Sequence, residues 1–206
     1  MTPPISDDTL DRDFYEKSPV LVVARELLGC VLVSRLGGTL TSGRIVETEA
    51  YAGLDDPASH TVRLSRSRAR MGGHPGLAYV HRSYGLHDTL NVVTGAVGEH
   101  AAVLIRALEP VDGLEVIRER RAAPTIADHR LLAGPGNLAR GLAIGLSNDG
   151  RDLTADPELH ITRGEPPASI HASPRIGITK AADWPWRFFD ADSRSVSAHR
   201  RGTLVT

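Results

Sequence analysis

Residues 30–51 read CVLVSRLGGTLTSGRIVETEAY. Two segments rich in β-branched and apolar residues, 30–36 and 39–51, stand on either side of the dipeptide Gly37-Gly38. Paired glycines between such segments are typical of a β-hairpin, because glycine readily adopts the positive φ angles that a tight turn needs. The stretch therefore predicts two antiparallel strands and, with them, the start of a β-sheet.

The second of these strands carries an acidic face. Side chains alternate along a strand, which places Glu47, Glu49 and Tyr51 on one face. Val46 and Thr48 are then expected on the opposite face. A solvated strand surface is the ordinary explanation of two such glutamates, whereas a carboxylate beside an aromatic ring would suit a general base next to a flat substrate. The strand by itself does not decide between these interpretations.

Residues 101–108 form an almost continuous apolar run, AAVLIRAL, as expected of a strand that is covered on both faces. Arg106 interrupts this run. A guanidinium group does not lose its proton, so its burial is costly unless an anion meets it. The candidates are the carboxylate of Glu47 or Glu49 and a phosphate group of a ligand. A purely structural ion pair explains Arg106 equally well.

The remaining segments alternate between helical and extended patterns. Helices are expected over residues 18–28, 110–121 and 134–143, and further strands over residues 77–83 and 88–94 and in short pieces after residue 153. Residues 52–76 are rich in Gly, Ser and Arg and are interpreted as a loop. The tail after Asp190 is expected to be partly loose.

Size and composition indicate a single domain. The chain has 206 residues, of which 41% are hydrophobic, enough for one proper core. We expect one α+β domain over residues 14–206 with a mainly antiparallel sheet, after a flexible leader over residues 1–13. The leader lacks the basic start and apolar core of a signal peptide, and no apolar stretch is long enough to span a membrane. An intracellular (cytoplasmic) protein is therefore expected.

Charge and cysteine usage narrow the classes of function. A net charge of −1 does not by itself indicate a nucleic-acid-binding domain. The single cysteine, Cys30, excludes an internal disulfide and the Cys-x-x-Cys zinc site of a deaminase. The arginines are nevertheless clustered, at Arg63, Arg66, Arg68 and Arg70 and again at Arg118, Arg120 and Arg121.

Three of the four tyrosines, Tyr51, Tyr79 and Tyr84, lie in the same part of the chain as the glutamates, between residues 47 and 84. Tyr79 and His81 share one face of a predicted strand, and Tyr84 stands beside Gly85 at the tip of a predicted hairpin. A tyrosine at a tip is often only an exposed loop residue. In an enzyme that acts on nucleic acid it would be the wedge that fills the gap left by an extruded nucleotide.

Two further polar residues also have two interpretations each. His60 follows the first strand pair and is either a turn cap or part of a pocket wall. Asn91 lies in an apolar strand, where its amide needs a partner, and hydrogen bonding within the core is the simpler explanation.

No single feature is specific, but their order and spacing resemble the alkyladenine (3-methyladenine, or methylpurine) DNA glycosylase family. Several blocks occur in one register over roughly residues 13–200, which is a stronger match than one short motif. The blocks are RIVETEAYAG (44–53) with ASH (58–60), LAYVHRSYG (77–85), LNVV (90–93), LIRALEP (104–110), LAGPGNL (132–138), RIGITK (175–180) and WRFF (186–189).

The resemblance implies both a fold and a reaction. The implied fold is α+β, with a curved, mainly antiparallel sheet flanked by helices, like the C-terminal domain of formyltransferases. The implied enzyme is a monomer that needs no cofactor or metal and does not bind membranes. It would extrude a damaged purine from double-stranded DNA and hydrolyse its N-glycosidic bond with water as the nucleophile. The implied substrates are purines of the 3-methyladenine, 7-methylguanine and hypoxanthine class.

The resemblance also implies roles for individual residues. Glu49 would be the general base that activates water, and Arg106 would hold that water and the neighbouring phosphate. The implied base pocket contains Tyr51, His60, Tyr79, His81 and Asn91. The tip that intercalates into DNA would consist of Tyr84, Gly85 and Leu86.

Within the pocket, Tyr51 would stack on the extruded base and His60 would form the opposite wall. Asn91 would lie at the floor and disfavour the exocyclic amine of guanine. One departure from the family pattern concerns His81, which stands where the family usually has a second aromatic residue. The range of accepted bases is therefore not implied.

Glycosylases that also cut the DNA strand use an amine nucleophile. The only lysines, Lys17 and Lys180, lie outside the core motif, so a monofunctional hydrolase is expected. Two other functions remain open. A non-catalytic module that binds damaged DNA or RNA would have no use for Glu49 with Arg106, and a hydrolase of free nucleosides would not need Tyr84.

Overall fold

The structure, a computed structural model, describes residues 8–59, 65–197 and 202–205. The helices in this part of the chain are α1 (Arg12–Glu16), α2 (Val20–Glu26), α3 (Ser65–Met71), α4 (Leu114–Arg121) and α5 (Pro135–Gly141). The strands are β1 (Val31–Ser34), β2 (Thr41–Ala52), β3 (Ala78–Ser83), β4 (His87–Thr94), β5 (Ala101–Pro110), β6 (Leu159–Thr162), β7 (Ile170–Ser173), β8 (Arg187–Asp190) and β9 (Thr203–Leu204). No helix among the described residues has the length and apolar character that crossing a membrane requires.

The strands join into one sheet with antiparallel pairing between the described neighbours. The main order is β3-β4-β5-β2-β8-β7-β9, and β1 pairs with both β2 and β6. The apolar run around Arg106 becomes β5, which is buried over most of its length because β2 and β4 flank it and helices cover it. The predicted α+β fold with a mainly antiparallel sheet is therefore confirmed.

The main core lies where α2 packs against the sheet. The helix begins directly after Pro19, and its apolar spacing turns Val23 and Ala24 inward, where both are fully buried. On the facing strand, Thr48 donates a hydrogen bond of 2.7 Å to the carbonyl of Ala24. Helix α2 therefore fixes one face of β2 and leaves the other face to the functional side chains.

An irregular register in β2 alters the predicted alternation of its side chains. The pairing with β5 shifts between Ile45 and Glu47, as a β-bulge does when it adds a residue to one strand. Ile45 lies in the main core, whereas Val46 packs in a separate cluster with Phe189 and Val196. The expectation that Val46 lies opposite the glutamates is therefore wrong, because the bulge turns it away from the core face.

The segment that leads into α1, together with the start of that helix, is more ordered than the sequence indicated. Leu10 is fully buried, and its N–H donates to the carbonyl of Ile161 at 2.8 Å. Arg12 forms a 2.5 Å ion pair with Asp152. The expected flexible leader is therefore wrong for residues 8–13, and residues 1–7 lie outside the described part.

Two other segments also differ from expectation. Residues 52–76 contain α3, whose sequence SRSRARM has too few apolar residues to show a helical period, although Met71 at its end is buried. Residues 191–197 are not loose, because Ser195 and Val196 are buried beside the sheet. The rest of the tail is described only at residues 202–205.

Candidate active site

Two glutamates and a tyrosine project from one face of β2 toward an arginine of β5. The Arg106 Nε donates a 2.9 Å hydrogen bond to Glu47 Oε1, and its Nη1 lies 3.2 Å from Glu49 Oε1. The Tyr51 hydroxyl donates to Glu49 Oε2 at 2.8 Å. Neighbouring antiparallel strands thus place two carboxylates next to one guanidinium group. Of the two anions considered for Arg106, a protein carboxylate and a ligand phosphate, the structure shows the protein carboxylates.

Glu49 is fully buried, and the structure shows three polar partners for it. Besides Arg106 and Tyr51, the backbone N–H of Ile176 donates to Oε1 at 2.7 Å. Burial raises the pKa of Glu49, and the positive charge of Arg106 and the two hydrogen bonds offset this only in part. Glu49 is therefore a carboxylate whose affinity for a proton is greater than that of an exposed glutamate.

Glu47 lies in a different electrostatic environment, although it is only two residues away. Burial acts to raise its pKa, but the guanidinium groups of Arg106 and Arg187 outweigh burial and lower it. The backbone N–H and the hydroxyl of Ser197 donate to it as well, at 2.7 and 2.8 Å. Glu47 is therefore held as an anion.

A cleft of about 780 Å³ opens in front of this cluster. Its lining includes Tyr51, Tyr79, His81, Tyr84, Asn91, Arg106 and the segment 176–180. Glu49 lies behind the wall, because the three groups that bond to it, from Tyr51, Arg106 and Ile176, are all part of the lining. The volume of the cleft is larger than that of a purine. The cleft also brings together Tyr79, His81 and Asn91, the residues of β3 and β4 that were predicted to form the base pocket.

Tyr79 and His81 form one wall of the cleft. Their rings stack with centroids 4.9 Å apart and planes inclined by 21°. Asn91 on β4 donates from Nδ2 to the carbonyl of Tyr79 at 3.1 Å and lies 3.3 Å from His81 Nδ1. The amide of Asn91 is thus partly satisfied within the protein, as the simpler interpretation held, while Asn91 still reaches the cleft.

Tyr84 occupies the tip of the β3–β4 hairpin, as predicted. Its side chain is 82% exposed and its backbone has a positive φ of 50°, which a non-glycine residue rarely adopts. Leu86 beside it is 75% exposed. The Tyr84 hydroxyl donates a 2.5 Å hydrogen bond to the carbonyl of Gly177, on the opposite lip of the cleft.

Arg175 is a site residue for which the sequence predicted no role. Its side chain is fully buried and donates to Asp56 through two hydrogen bonds of 2.5 and 2.9 Å. Its guanidinium carbon lies 4.7 Å from the ring centroid of Tyr51 and 5.1 Å from that of Trp186. Arg175 therefore supports one face of Tyr51 and fixes the orientation of that ring.

A comparison with known protein families identifies the family of this chain. The family model for methylpurine-DNA glycosylase (MPG) matches residues 13–194. The chain belongs to this family. The predicted resemblance is confirmed, and it assigns the chain to the glycosylases of DNA base excision repair.

Relatives with similar sequences extend over nearly the whole chain. A protein of Carboxydothermus hydrogenoformans is 48% identical over 191 residues, 91% of this chain and 98% of the relative. Proteins of Rhodopseudomonas palustris, at 48% over 192 residues (91% of this chain and 90% of the relative), and Methanocella arvoryzae, at 42% over 199 residues (95% and 98%), are similar too. All three carry the name "Putative 3-methyladenine DNA glycosylase".

One residue expected in the pocket of this glycosylase, His60, lies outside the described residues, as does Arg63. Other members of the arginine clusters hold the fold. Arg70 pairs with Asp149 at 3.3 Å, and Arg120 donates to the carbonyl of Leu36 at 2.9 Å. These two guanidinium groups are therefore engaged within the protein.

The two lysines lie in different places relative to the cleft. Lys17 pairs with Asp13 on α1, away from the cleft, but Lys180 is exposed and lines it. Lys180, which lies outside the core motif in the sequence, is therefore brought to the cleft by the segment that follows β7. In residues 8–59, 65–197 and 202–205, no group of three or more His, Cys, Asp or Glu side chains is placed to hold a metal ion.

Proposed function

We propose that this glycosylase excises alkylated or deaminated purines, of the 3-methyladenine, 7-methylguanine and hypoxanthine class, from duplex DNA. One observation carries the proposal. The Glu49 carboxylate and the Arg106 guanidinium meet directly behind the wall of a cleft that is large enough for a purine and lined by Tyr51. The names of the relatives, which refer to 3-methyladenine, support the same substrate class.

In the proposed reaction Glu49 acts as the general base. Cleavage of an N-glycosidic bond passes through a state in which positive charge grows on the sugar, and a carboxylate both stabilises that charge and removes a proton from the attacking water. The raised pKa of Glu49, which burial causes, makes it a better proton acceptor than an exposed carboxylate. Arg106 keeps this carboxylate oriented and presents positive charge at the cleft.

Recognition of the base rests on Tyr51, Asn91 and the stacked wall of Tyr79 and His81. A purine methylated at N3 or N7 is cationic and stacks well on an electron-rich ring. Methylation at these positions also makes the purine a better leaving group, so damage favours both binding and bond cleavage. Arg175 occupies one face of Tyr51, so an extruded base would use the other face.

Access of water to Glu49 requires a movement of the segment that covers it. Ile176 bonds to the Glu49 carboxylate, and its neighbour Gly177 accepts the hydrogen bond from Tyr84. If Tyr84 enters the duplex as a wedge, that hydrogen bond must break. Insertion of Tyr84 would thus release residues 176 and 177 at the moment when a base is extruded.

The test is incubation of the protein with duplexes that each contain one lesion, followed by detection of the freed base. We expect release of 3-methyladenine, 7-methylguanine or hypoxanthine and no release from an undamaged duplex. Binding without release would favour the non-catalytic module. Hydrolysis of free nucleosides at a rate equal to that of the duplex, and insensitive to Tyr84→Ala, would favour a nucleoside hydrolase.

We also propose that the enzyme is a monofunctional, monomeric hydrolase that uses water as its nucleophile. An amine that attacked the sugar would form an imine, which borohydride reduces to a stable protein–DNA adduct. We expect no adduct with wild type during base release. An adduct that disappears in Lys180→Ala would show that Lys180, which lines the cleft, acts as a nucleophile.

A further inference from the structure

Glu47 lies on the same strand face as Glu49, but it has no role in the proposed reaction. It is fully buried and has no place in the lining of the cleft. It nevertheless accepts hydrogen bonds from Arg106 Nε at 2.9 Å, Arg187 Nε at 2.7 Å and two groups of Ser197. So many donors on one buried carboxylate hold its position tightly.

The contact between Glu47 and Arg106 determines where the guanidinium points. A guanidinium is a planar, rigid fork, so fixing its Nε edge also fixes the direction of its two Nη groups. Glu47 binds that Nε edge, and the Nη1 group consequently lies 3.2 Å from Glu49 Oε1. Without Glu47, the single contact with Glu49 would leave Arg106 free to rotate about it.

Glu47 is itself anchored from elements distant in the sequence. Arg187 on β8 is fully buried, and its Nη1 donates to Ser173 on β7 at 2.8 Å. The segment after β8 returns to the sheet and places Ser197 on Glu47. The two carboxylates and two guanidinium groups balance in charge, so the buried cluster carries no net charge.

We propose that Glu47 is a positioning residue of the glycosylase reaction, which holds Arg106 against Glu49 and depends on Arg187 and Ser197 for its own position. The proposal rests on the proposed function. The proposal goes beyond that function because Glu47 touches neither the substrate nor the water and acts only through Arg106. A merely structural ion pair would change stability and leave the chemical step unaffected.

The test compares single-turnover base release by wild type, Glu47→Gln, Arg106→Lys and the double variant, on a duplex that wild type cleaves. A displaced catalytic group costs on the order of 10²-fold in rate, so Glu47→Gln should lower the rate by about that factor. The affinity for the lesion duplex should stay the same. Because the ammonium group of the Arg106→Lys variant could not contact both carboxylates, Glu47→Gln should cause little further loss in that background.

The matched control is Asp190→Asn, which removes another buried carboxylate of the sheet, one paired with Arg44 at 3.0 Å. It should lower the melting temperature but not the rate of base release. Equal rates for wild type and Glu47→Gln would overturn the proposal, as would fully additive losses in the double variant. If wild type released no base from any lesion, the proposed function itself would fail, which is a distinguishable result.

A milder variant keeps the test decisive if Glu47→Gln does not fold. Ser197→Ala removes one of the donors to Glu47 and leaves both charges in place. It should lower the rate several-fold at unchanged affinity, and this effect should also disappear in the Arg106→Lys background. A rate equal to that of wild type in folded Ser197→Ala would contradict the anchoring role.

Discussion

Glu47 and Glu49 have the same side chain and lie on the same strand face, yet their pKa values shift in opposite directions. Glu49 faces one guanidinium group, and its burial raises the pKa. Burial also acts on Glu47, but two guanidinium groups and Ser197 lower its pKa. Environments that separate the pKa values of neighbouring carboxylates are typical of acid–base chemistry, because one group stays an anion while the other can accept a proton.

The raised pKa of Glu49 predicts the pH dependence of base release. Glu49 must be ionised to accept a proton, so the rate should fall as the pH decreases through its pKa, about tenfold per pH unit. This acid limb should lie above the range of an exposed glutamate. Arg106→Gln removes a charge that lowers the pKa of Glu49 and should move the limb to higher pH. Single-turnover rates across the pH range measure this, and an unchanged limb in the variant would contradict it.

His81 predicts an effect on the choice of lesion. Histidine is a smaller stacking surface than tyrosine and can itself become charged, which disfavours a cationic base. His81→Tyr should therefore raise the rate for 7-methylguanine relative to that for hypoxanthine, with little change in stability because His81 is only partly buried. The ratio of the two release rates is the measurement. A ratio equal to that of wild type would count against a place for His81 in the base pocket.

At the scale of elements, strands were predicted better than helices. The strands β2 and β5 were predicted because their apolar runs and alternating residues reflect burial directly. Helix α3 was missed because its arginines mask any period, and the bulge near Val46 was missed because it depends on pairing with β5. Local pattern thus predicts the elements that form the core and fails where contacts with distant residues decide.

The β3–β4 hairpin carries a prediction of its own. If the hydrogen bond from Tyr84 to Gly177 holds the cleft covered, Tyr84→Phe removes that bond but keeps the ring that would enter DNA. This variant should bind a lesion duplex at least as tightly as wild type, whereas Tyr84→Ala should bind and cleave it far more weakly. Binding titrations of both variants test this. Equal losses of affinity in Tyr84→Phe and Tyr84→Ala would show that DNA binding depends on the hydroxyl of Tyr84 and not on its ring.

At the scale of the whole molecule, the site is assembled from parts of the chain that are distant in sequence: β2, the β3–β4 hairpin, β5, the segment after β7, and β8 with the segment that follows it. The sequence pointed to Arg106 because a charged residue in an apolar strand needs a partner, and the resemblance to the family added Glu49 and Tyr51. It did not point to Arg175, to the N–H of Ile176 or to the tail residue Ser197, since nothing local shows where a loop returns. Arg187 could have been found, because it stands between apolar aromatic residues in WRFF, much as Arg106 interrupts its own run.

Removing the charge of Glu47 and removing the charge of Glu49 should shift the melting temperature in opposite directions. A raised pKa in the folded state means that ionised Glu49 destabilises the fold at neutral pH, so Glu49→Gln should raise the melting temperature. The lowered pKa of Glu47 gives stability that is present above its unfolded-state pKa and is lost as the pH falls through the folded-state value. Glu47→Gln should therefore melt at a lower temperature at neutral pH. Thermal unfolding of both variants decides, and shifts of the same sign would contradict this account.

The most direct test of the central claim is single-turnover release of a damaged base by Glu49→Gln, with binding to the same duplex measured in parallel. The control is Glu109→Gln, which changes a half-exposed glutamate paired with Arg44 at the far end of β5. Loss of a general base costs about 10²- to 10⁴-fold, so Glu49→Gln should lose at least that much rate and bind the duplex as wild type does. Release at the wild-type rate would show that the carboxylate behind the cleft is not the catalytic base.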